Sequence, residues 1–247
     1  MSGGCDVPGL GLEPPGHALE RLDEHLALVV RGAVSAQAAR RWSEGVLAAA
    51  ADYTRDFGGE QFALGRAFYT HLEQDLLADY FADARASDGR VERAAPGLQA
   101  AMLELASRVT GGTVVRRADF CGPGVHVFPR DEKVASVGGV VHFDIEGLPA
   151  RFLASGQRAL SFVLMLEPPE EGGGLKLWDV VYEGEDGVDD DVLEARDSVV
   201  ITSGPGDLVV FDSYRLHQIQ PFGGMRDRIS MTAHAALFVP GRWDVWF

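Results

Sequence analysis

The sequence predicts an α+β domain, with helices packed on a β-sandwich or jelly-roll barrel. Helical periodicity is confined to the first 112 of the 247 residues, and short β-type runs fill most of the remainder. Gly, Pro and acidic residues separate those runs as turns would. Hydrophobic content of 46% and charged content of 24% are ordinary for a soluble globular chain, and the length accommodates one domain. With no internal repeat in view, 1–247 reads as a single unit. It divides into a strap, strand and helices over 1–112, a β core over 113–239 and a tail over 240–247.

Residues 1–18 are rich in Gly and Pro and read as a loose or strapped-on terminus. The apolar run 26–30 predicts a strand. Ser35 is an N-cap for an Ala-rich helix to about Tyr53. A broken helical region spans about 65–84, with Phe68, Leu72, Leu76, Leu77 and Tyr80 at helical spacing. A further helix covers about 96–109, with Pro96 near its start and Gly111-Gly112 just past its end. Predicted strands then cover 113–120, 125–128, 137–143, 160–166, 175–182, 198–202, 207–211, 216–220 and 228–239. The run 160–166 is apolar except for Ser161, as expected of a strand covered on both faces.

A net charge of −15 argues against attraction to nucleic-acid backbones. Much of the acid lies in 183–191, which departs from the calcium-loop pattern and reads as a solvated loop. No run approaches the ~18 apolar residues of a membrane span. The first residues lack the basic and apolar regions of a signal peptide. Cys5 and Cys121 form neither a disulfide framework nor a zinc spacing. A cytoplasmic location is the expectation, with no membrane or nucleic-acid partner. Oligomeric state is left open.

Chemistry centres on Val140-Val141-His142-Phe143-Asp144, read as the end of a buried strand. On a strand, residues two apart share a face, so an imidazole and a carboxylate meet at one point. That is two-thirds of the 2-His-1-carboxylate set that holds non-haem Fe(II) with open positions. His-x-acid spacing alone is weak; His71-Leu72-Glu73 has it too, on a predicted helix where it brings nothing together. His217 opens a strand after a turn and supplies a third ligand. Ten residues separate it from Arg228, which shares a face with Ser230. A buried guanidinium needs an anionic partner, and Arg with an adjacent hydroxyl suits a carboxylate.

In this order and spacing, His142-x-Asp144, His217 and Arg228-x-Ser230 resemble the Fe(II)/2-oxoglutarate-dependent dioxygenases. Gly172-Gly173-Gly174-Leu175-Lys176-Leu177-Trp178 is similar to a strand of the prolyl-hydroxylase-like members, and 206–212 to the strand leading to their distal His. The resemblance covers about 113–239. It implies a cupin-like double-stranded β-helix, with His142, Asp144 and His217 on Fe(II) and Arg228 and Ser230 on the distal carboxylate of 2-oxoglutarate. O2 would oxidise an unactivated C–H, releasing succinate and CO2. An Asp at position 144 implies hydroxylation or another oxidation rather than halogenation, since the halogenases of this family carry Gly or Ala there.

His126 is read as a hydrogen-bonded structural residue, with a place in the pocket lining as the alternative; His234 shares strand parity with Arg228 and Ser230 and is read as an inward packing or hydrogen-bonding residue, with direct catalysis as the minor alternative. Trp178 either walls a substrate pocket or fills the core. Arg130, Arg151, Tyr214 and Arg215 are further substrate candidates on loops at a barrel mouth, with solvated surface positions as the plain alternative for the arginines. The expected substrate is a small molecule, an amino acid or specialised metabolite. The alternatives are a peptide side chain, as in prolyl hydroxylases, a cupin-like protein that binds without turnover, and a metal-dependent isomerase or hydrolase. Only the last two dispense with the Arg228-x-Ser230 anchor or with succinate formation.

Overall fold

The computed structural model describes residues 17–184 and 188–247. The first part holds α1 (His17–Glu24), β1 (Leu28–Val30), α2 (Ala36–Ala48), β2 (Thr54–Asp56), β3 (Gln61–Leu64), α3 (Phe68–Glu73), α4 (Leu77–Ala94) and α5 (Leu98–Thr110). Next come β4 (Thr113–Arg116), β5 (Gly124–Phe128), α6 (Lys133–Val137), α7 (Ala150–Ser155), β6 (Ala159–Glu167), β7 (Glu171–Gly172) and β8 (Leu175–Val181). The chain then forms α8 (Asp190–Ala195), β9 (Ser198–Ile201), β10 (Leu208–Asp212), β11 (Arg215–Ile219), β12 (Phe222–Gly223), β13 (Arg228–Val239) and β14 (Arg242–Trp246).

The major sheet runs β1-β10-β6-β13-β5-β3-β2, with β14 joined to β13 and β4 to β14. A minor sheet runs β11-β8-β9, and β12 pairs with β7. Strand alternation divides the interior. Leu208, Val210, Phe162, Leu164, Ile229 and Met231 pack with Val46, Leu98, Met102 and Leu105 of the helices. The intervening Val209 and Phe211 pack instead with Leu175, Leu177 and Ile201 of the minor sheet. Helices therefore cover one face of the major sheet, and the minor sheet covers the other. The result is the double-stranded β-helix with N-terminal helices that the strand pattern and the resemblance predict.

Local signals account for several elements. Ser35 accepts from Ala38 N at 3.1 Å and starts α2. Gly111, at φ 65°, stops α5. Other expectations are corrected. The strand predicted over 137–143 is instead the end of α6 followed by an irregular extended segment. Gly138 breaks it at φ 87°, and Val140 is 78% exposed rather than buried. The tail 240–247 contains a full strand, β14, with Trp246 and Phe247 both about 1% exposed. β2 and β3, unforeseen, extend the major sheet beside β5. Most of the 1–18 strap and the centre of the acidic loop, 185–187, lie outside the described residues; 17–18 belong to α1. Among the described residues, no helix is long and apolar enough to cross a membrane.

Candidate metal centre

His217 sits on β11, whose backbone reaches across to the segment after Gly139. The two histidines exchange both main-chain hydrogen bonds: His142 N to His217 O at 3.1 Å and His217 N to His142 O at 3.0 Å. Asp144 N donates to Ser213 O at 2.9 Å, so the extended register continues to the carboxylate. His142 and Asp144 thus face one point although no regular strand surrounds them. One ligand atom from each of His142, Asp144 and His217 lies within 4.8 Å of the others. His142 Nε2 is 3.5 Å from Asp144 Oδ1, and His217 Nε2 is 3.5 Å from Oδ2.

The donor atoms suit a metal. His142 Nδ1 meets Val140 O at 2.8 Å and His217 Nδ1 meets Arg215 O at 3.0 Å. A carbonyl only accepts, so each Nδ1 carries a proton, and Nε2 is the atom each ring turns toward Asp144. Burial opposes charge on Asp144, but His217 and His234 beside it hold its carboxyl well below the usual range. Burial likewise opposes charge on His142, yet Asp144, through a hydrogen bond and its charge, lifts it to about 9. Two imidazole nitrogens and one carboxylate grouped on one side match the facial set of non-haem Fe(II).

Ser161, fully buried on β6, steadies the carboxylate. Its Oγ donates to Asp144 Oδ2 at 2.6 Å and lies 2.9 Å from Ser213 Oγ and 3.2 Å from His234 Nδ1. His234 Nδ1 is itself 3.7 Å from Asp144 Oδ2.

Beside the triad, Arg228, Ser230, Thr232 and His234 line the inner face of β13. Arg228 is 2% exposed. It donates from Nη1 to Ser230 Oγ at 3.0 Å and from Nε to Gly173 O at 3.2 Å. Gly173 is required there: at φ 67°, a Cβ would lie 2.4 Å from Pro169 Cγ. No carboxylate pairs with Arg228 among the described residues, and burial pushes its guanidinium down to about 10. An unpaired buried cation at a cavity wall calls for an anion. His126 lies opposite Ser230 in register, buried, with no partner for Nδ1. Burial, then the positive fields of His234 and Arg228, push it down to about 3.

These groups enclose a cavity of about 410 Å³. Its outer wall comes from the region before the barrel, through Phe57, Glu60, Gln61, Tyr69 and Glu73, and from Val140 and Glu146. Burial, with the charge of Asp144 second, raises the Glu146 carboxyl to about 7. The sequence carried a faint signal for part of this wall. Tyr69 and Glu73 are four apart on α3, hence on one face.

Other substrate candidates lie elsewhere. Arg130 is near Asp131 and Asp227, at 3.5 and 3.7 Å. Arg151 is exposed on α7. Trp178 packs with Phe143 and Leu216 in a separate cluster, and Tyr214 with Phe152 in another. Arg215 pairs with Asp179 at 2.7 Å. None of the five lines the cavity.

The model of the family "Carrier-protein-independent halogenase WelO5" matches residues 150–239. The curated proteins contain no match to the sequence. Among solved structures, the chain resembles an N-substituted L-amino acid dioxygenase from Burkholderia ambifaria AMMD, with TM-score 0.58, 17% identity and coverage of 94% of this chain and 89% of that one. It also resembles SnoN, a non-haem α-ketoglutarate-dependent epimerase from nogalamycin biosynthesis, with TM-score 0.52, 19% identity and coverage of 89% and 85%. A prolyl hydroxylase from Trichoplax adhaerens, in complex with a peptide fragment, gives TM-score 0.51, 15% identity and coverage of 87% and 85%. SnoN has been solved with Fe3+ and α-ketoglutarate, and the dioxygenase with α-ketoglutarate. At these identities the likeness is one of fold. The fold is the double-stranded β-helix of the iron- and 2-oxoglutarate-dependent oxygenases, here with a His-Asp-His cluster at its centre.

Proposed function

We propose that the chain is a non-haem Fe(II)/2-oxoglutarate oxygenase that hydroxylates an unactivated C–H of a small molecule. The observation that carries it is the pairing of a His-Asp-His cluster with a buried, acid-free Arg228 on the wall of the same cavity. His142, Asp144 and His217 would hold the metal, and Arg228 with Ser230 would take the distal carboxylate of 2-oxoglutarate. The bound iron and co-substrate supply the oxidising power from O2, releasing succinate and CO2. The chain fixes the imidazole tautomers through Val140 O and Arg215 O and orients the carboxylate through Ser161. It also lines the cavity with Phe128, Val163, Leu175 and Phe211, which keep water from the reacting face.

Hydroxylation is preferred to halogenation because Asp144 fills the position that halogenases of this type leave to halide. The halogenase-family match begins at residue 150, beyond that carboxylate. A peptide substrate is the second reading, favoured by the likeness to a prolyl hydroxylase solved with a peptide. Succinate release with Fe(II) and 2-oxoglutarate, screened over metabolites and peptides and read by mass, tests both. A gain of one oxygen on small molecules, absent in Asp144→Ala, is expected. Oxygen gain on peptides alone, or full activity in that variant, overturns the first reading.

A further inference from the structure

We infer, on the basis of the oxygenase reading, that His126 is a third donor to the distal carboxylate of 2-oxoglutarate, beside Arg228 and Ser230, and that it helps the site choose a dicarboxylic over a monocarboxylic 2-oxo acid. On β13 and β5, Arg228 lies opposite Phe128 and Ser230 opposite His126. Directly opposed residues of an antiparallel pair share a face, with Cβ atoms about 4.5–5.5 Å apart. All four side chains line the cavity, so a cation, a hydroxyl, an imidazole and a phenyl ring form one block of its wall. The Phe128 ring centre is 5.6 Å from Arg228 Cζ and 5.7 Å from the His126 ring. Phe128 brings no polar partner, which leaves the hydroxyl and the imidazole as the polar neighbours of Arg228 within the block.

His126 is 6% exposed, and no contact among the described residues accounts for its polarity. The rings of Phe247 and Tyr69 flank it as well, with centroids 4.7 and 5.8 Å away. Nδ1 is enclosed and has no hydrogen-bond partner. The ring therefore meets the cavity through its Nε2 edge. An orphaned buried N–H is rarer than an orphaned acceptor, so the proton sits on Nε2 and points out of the wall. Arg228 engages Gly173 O through Nε and Ser230 Oγ through Nη1. Ser230 accepts in that bond, so its own proton is free to donate. An anion seated on the block thus meets N–H groups of Arg228, the O–H of Ser230 and the N–H of His126. A carboxylate has about four lone-pair sites to receive them. A 2-oxo acid ending in methyl would leave Arg228 and His126 without an acceptor, and that mismatch is the basis of the choice.

The test is the binding of two 2-oxo acids to the full chain loaded with Mn(II), read by calorimetry and by thermal shift up to millimolar ligand. 2-Oxoglutarate carries the second carboxylate; 2-oxopentanoate has the same chain length and ends in methyl. The parent should prefer 2-oxoglutarate. In His126→Phe, 2-oxoglutarate should bind about tenfold or more weaker, while 2-oxopentanoate and Mn(II) bind as in the parent. His126→Gln keeps an N–H at the reach of Nε2 and should recover most of that loss. Unchanged 2-oxoglutarate affinity in His126→Phe overturns the proposal, as does a parent that binds the two acids equally. An equal loss for both acids, or weakened Mn(II) binding, marks a merely structural role and overturns it too, as does a Gln variant as weak as the Phe variant. A parent that binds neither acid refutes instead the oxygenase reading on which the inference rests.

Discussion

Replacing Ser161 by Ala removes a single oxygen from the centre of the fold, and its effect follows from three distances. Ser161 Oγ lies 2.6 Å from Asp144 Oδ2, 2.9 Å from Ser213 Oγ and 3.2 Å from His234 Nδ1. The residue is fully buried, so water does not replace the lost donor. A hydrogen bond to a charged group contributes about 1.5–3 kcal/mol. Part of this is lost from the metal-free fold, where the same bond exists. Spread over a domain of this size, the deficit lowers the melting temperature by about 3–10 °C. The rest appears in metal affinity, because Asp144 is no longer held toward the two Nε2 atoms. Outer partners of ligands typically change affinity by about 10–100-fold. Anaerobic titration with Fe(II) or Mn(II), beside thermal melts of the metal-free protein, measures both parts. A variant that binds metal as tightly as the parent would refute the idea that Ser161 orients the ligand.

Two further outcomes are expected. Arg228→Met should abolish the stabilisation by 2-oxoglutarate, which in the parent reaches about 2.7 kcal/mol at a hundred times Kd. Melts with and without 2-oxoglutarate decide it, and a variant still stabilised by the ligand would exclude Arg228 as the anchor. The metal-free variant should change little, because relief of an unpaired buried cation offsets the lost bonds to Gly173 and Ser230. His126 gives a pH signature. Its folded pKa of about 3 lies below the ordinary value, so its contribution to stability is complete above about pH 6.5 and is lost as pH falls toward 3. His126→Phe should flatten the acid limb of stability against pH in that window in chemical denaturation; an unchanged slope would contradict it.

Local chemistry made the β core and the order of the candidate ligands legible. His142-x-Asp144 and Arg228-x-Ser230 are each two residues apart, and extended backbone alone sets two side chains on one face. That rule survives even where the expected strand around His142 does not form. Ser161 was visible as the one polar residue in an apolar strand, but its partner Asp144 is 17 residues away and its role emerges only from packing. The cavity's outer wall was illegible for the same reason. Phe57, Gln61 and Tyr69 belong to short elements whose place depends on β3 pairing with β5, some 60 residues later. The arginines near the barrel mouth drew attention by their charge, whereas Arg215 is already engaged by Asp179 across β8 and β11.

The reciprocal main-chain bond between His142 and His217 has a consequence for which metal enters. Two of the three candidate ligands are fixed to each other by the backbone before any ion arrives, and both tautomers are set by carbonyls of the chain. Little reorganisation remains to reward one ion over another. Such a cradle ranks divalent metals by their intrinsic affinity for nitrogen and carboxylate oxygen, an order in which Cu(II), Ni(II) and Zn(II) exceed Fe(II). The identity of the resident ion is then governed by which metals are free where the chain folds. Trace zinc or copper would act as a tightly held competitor, displaced only slowly by iron.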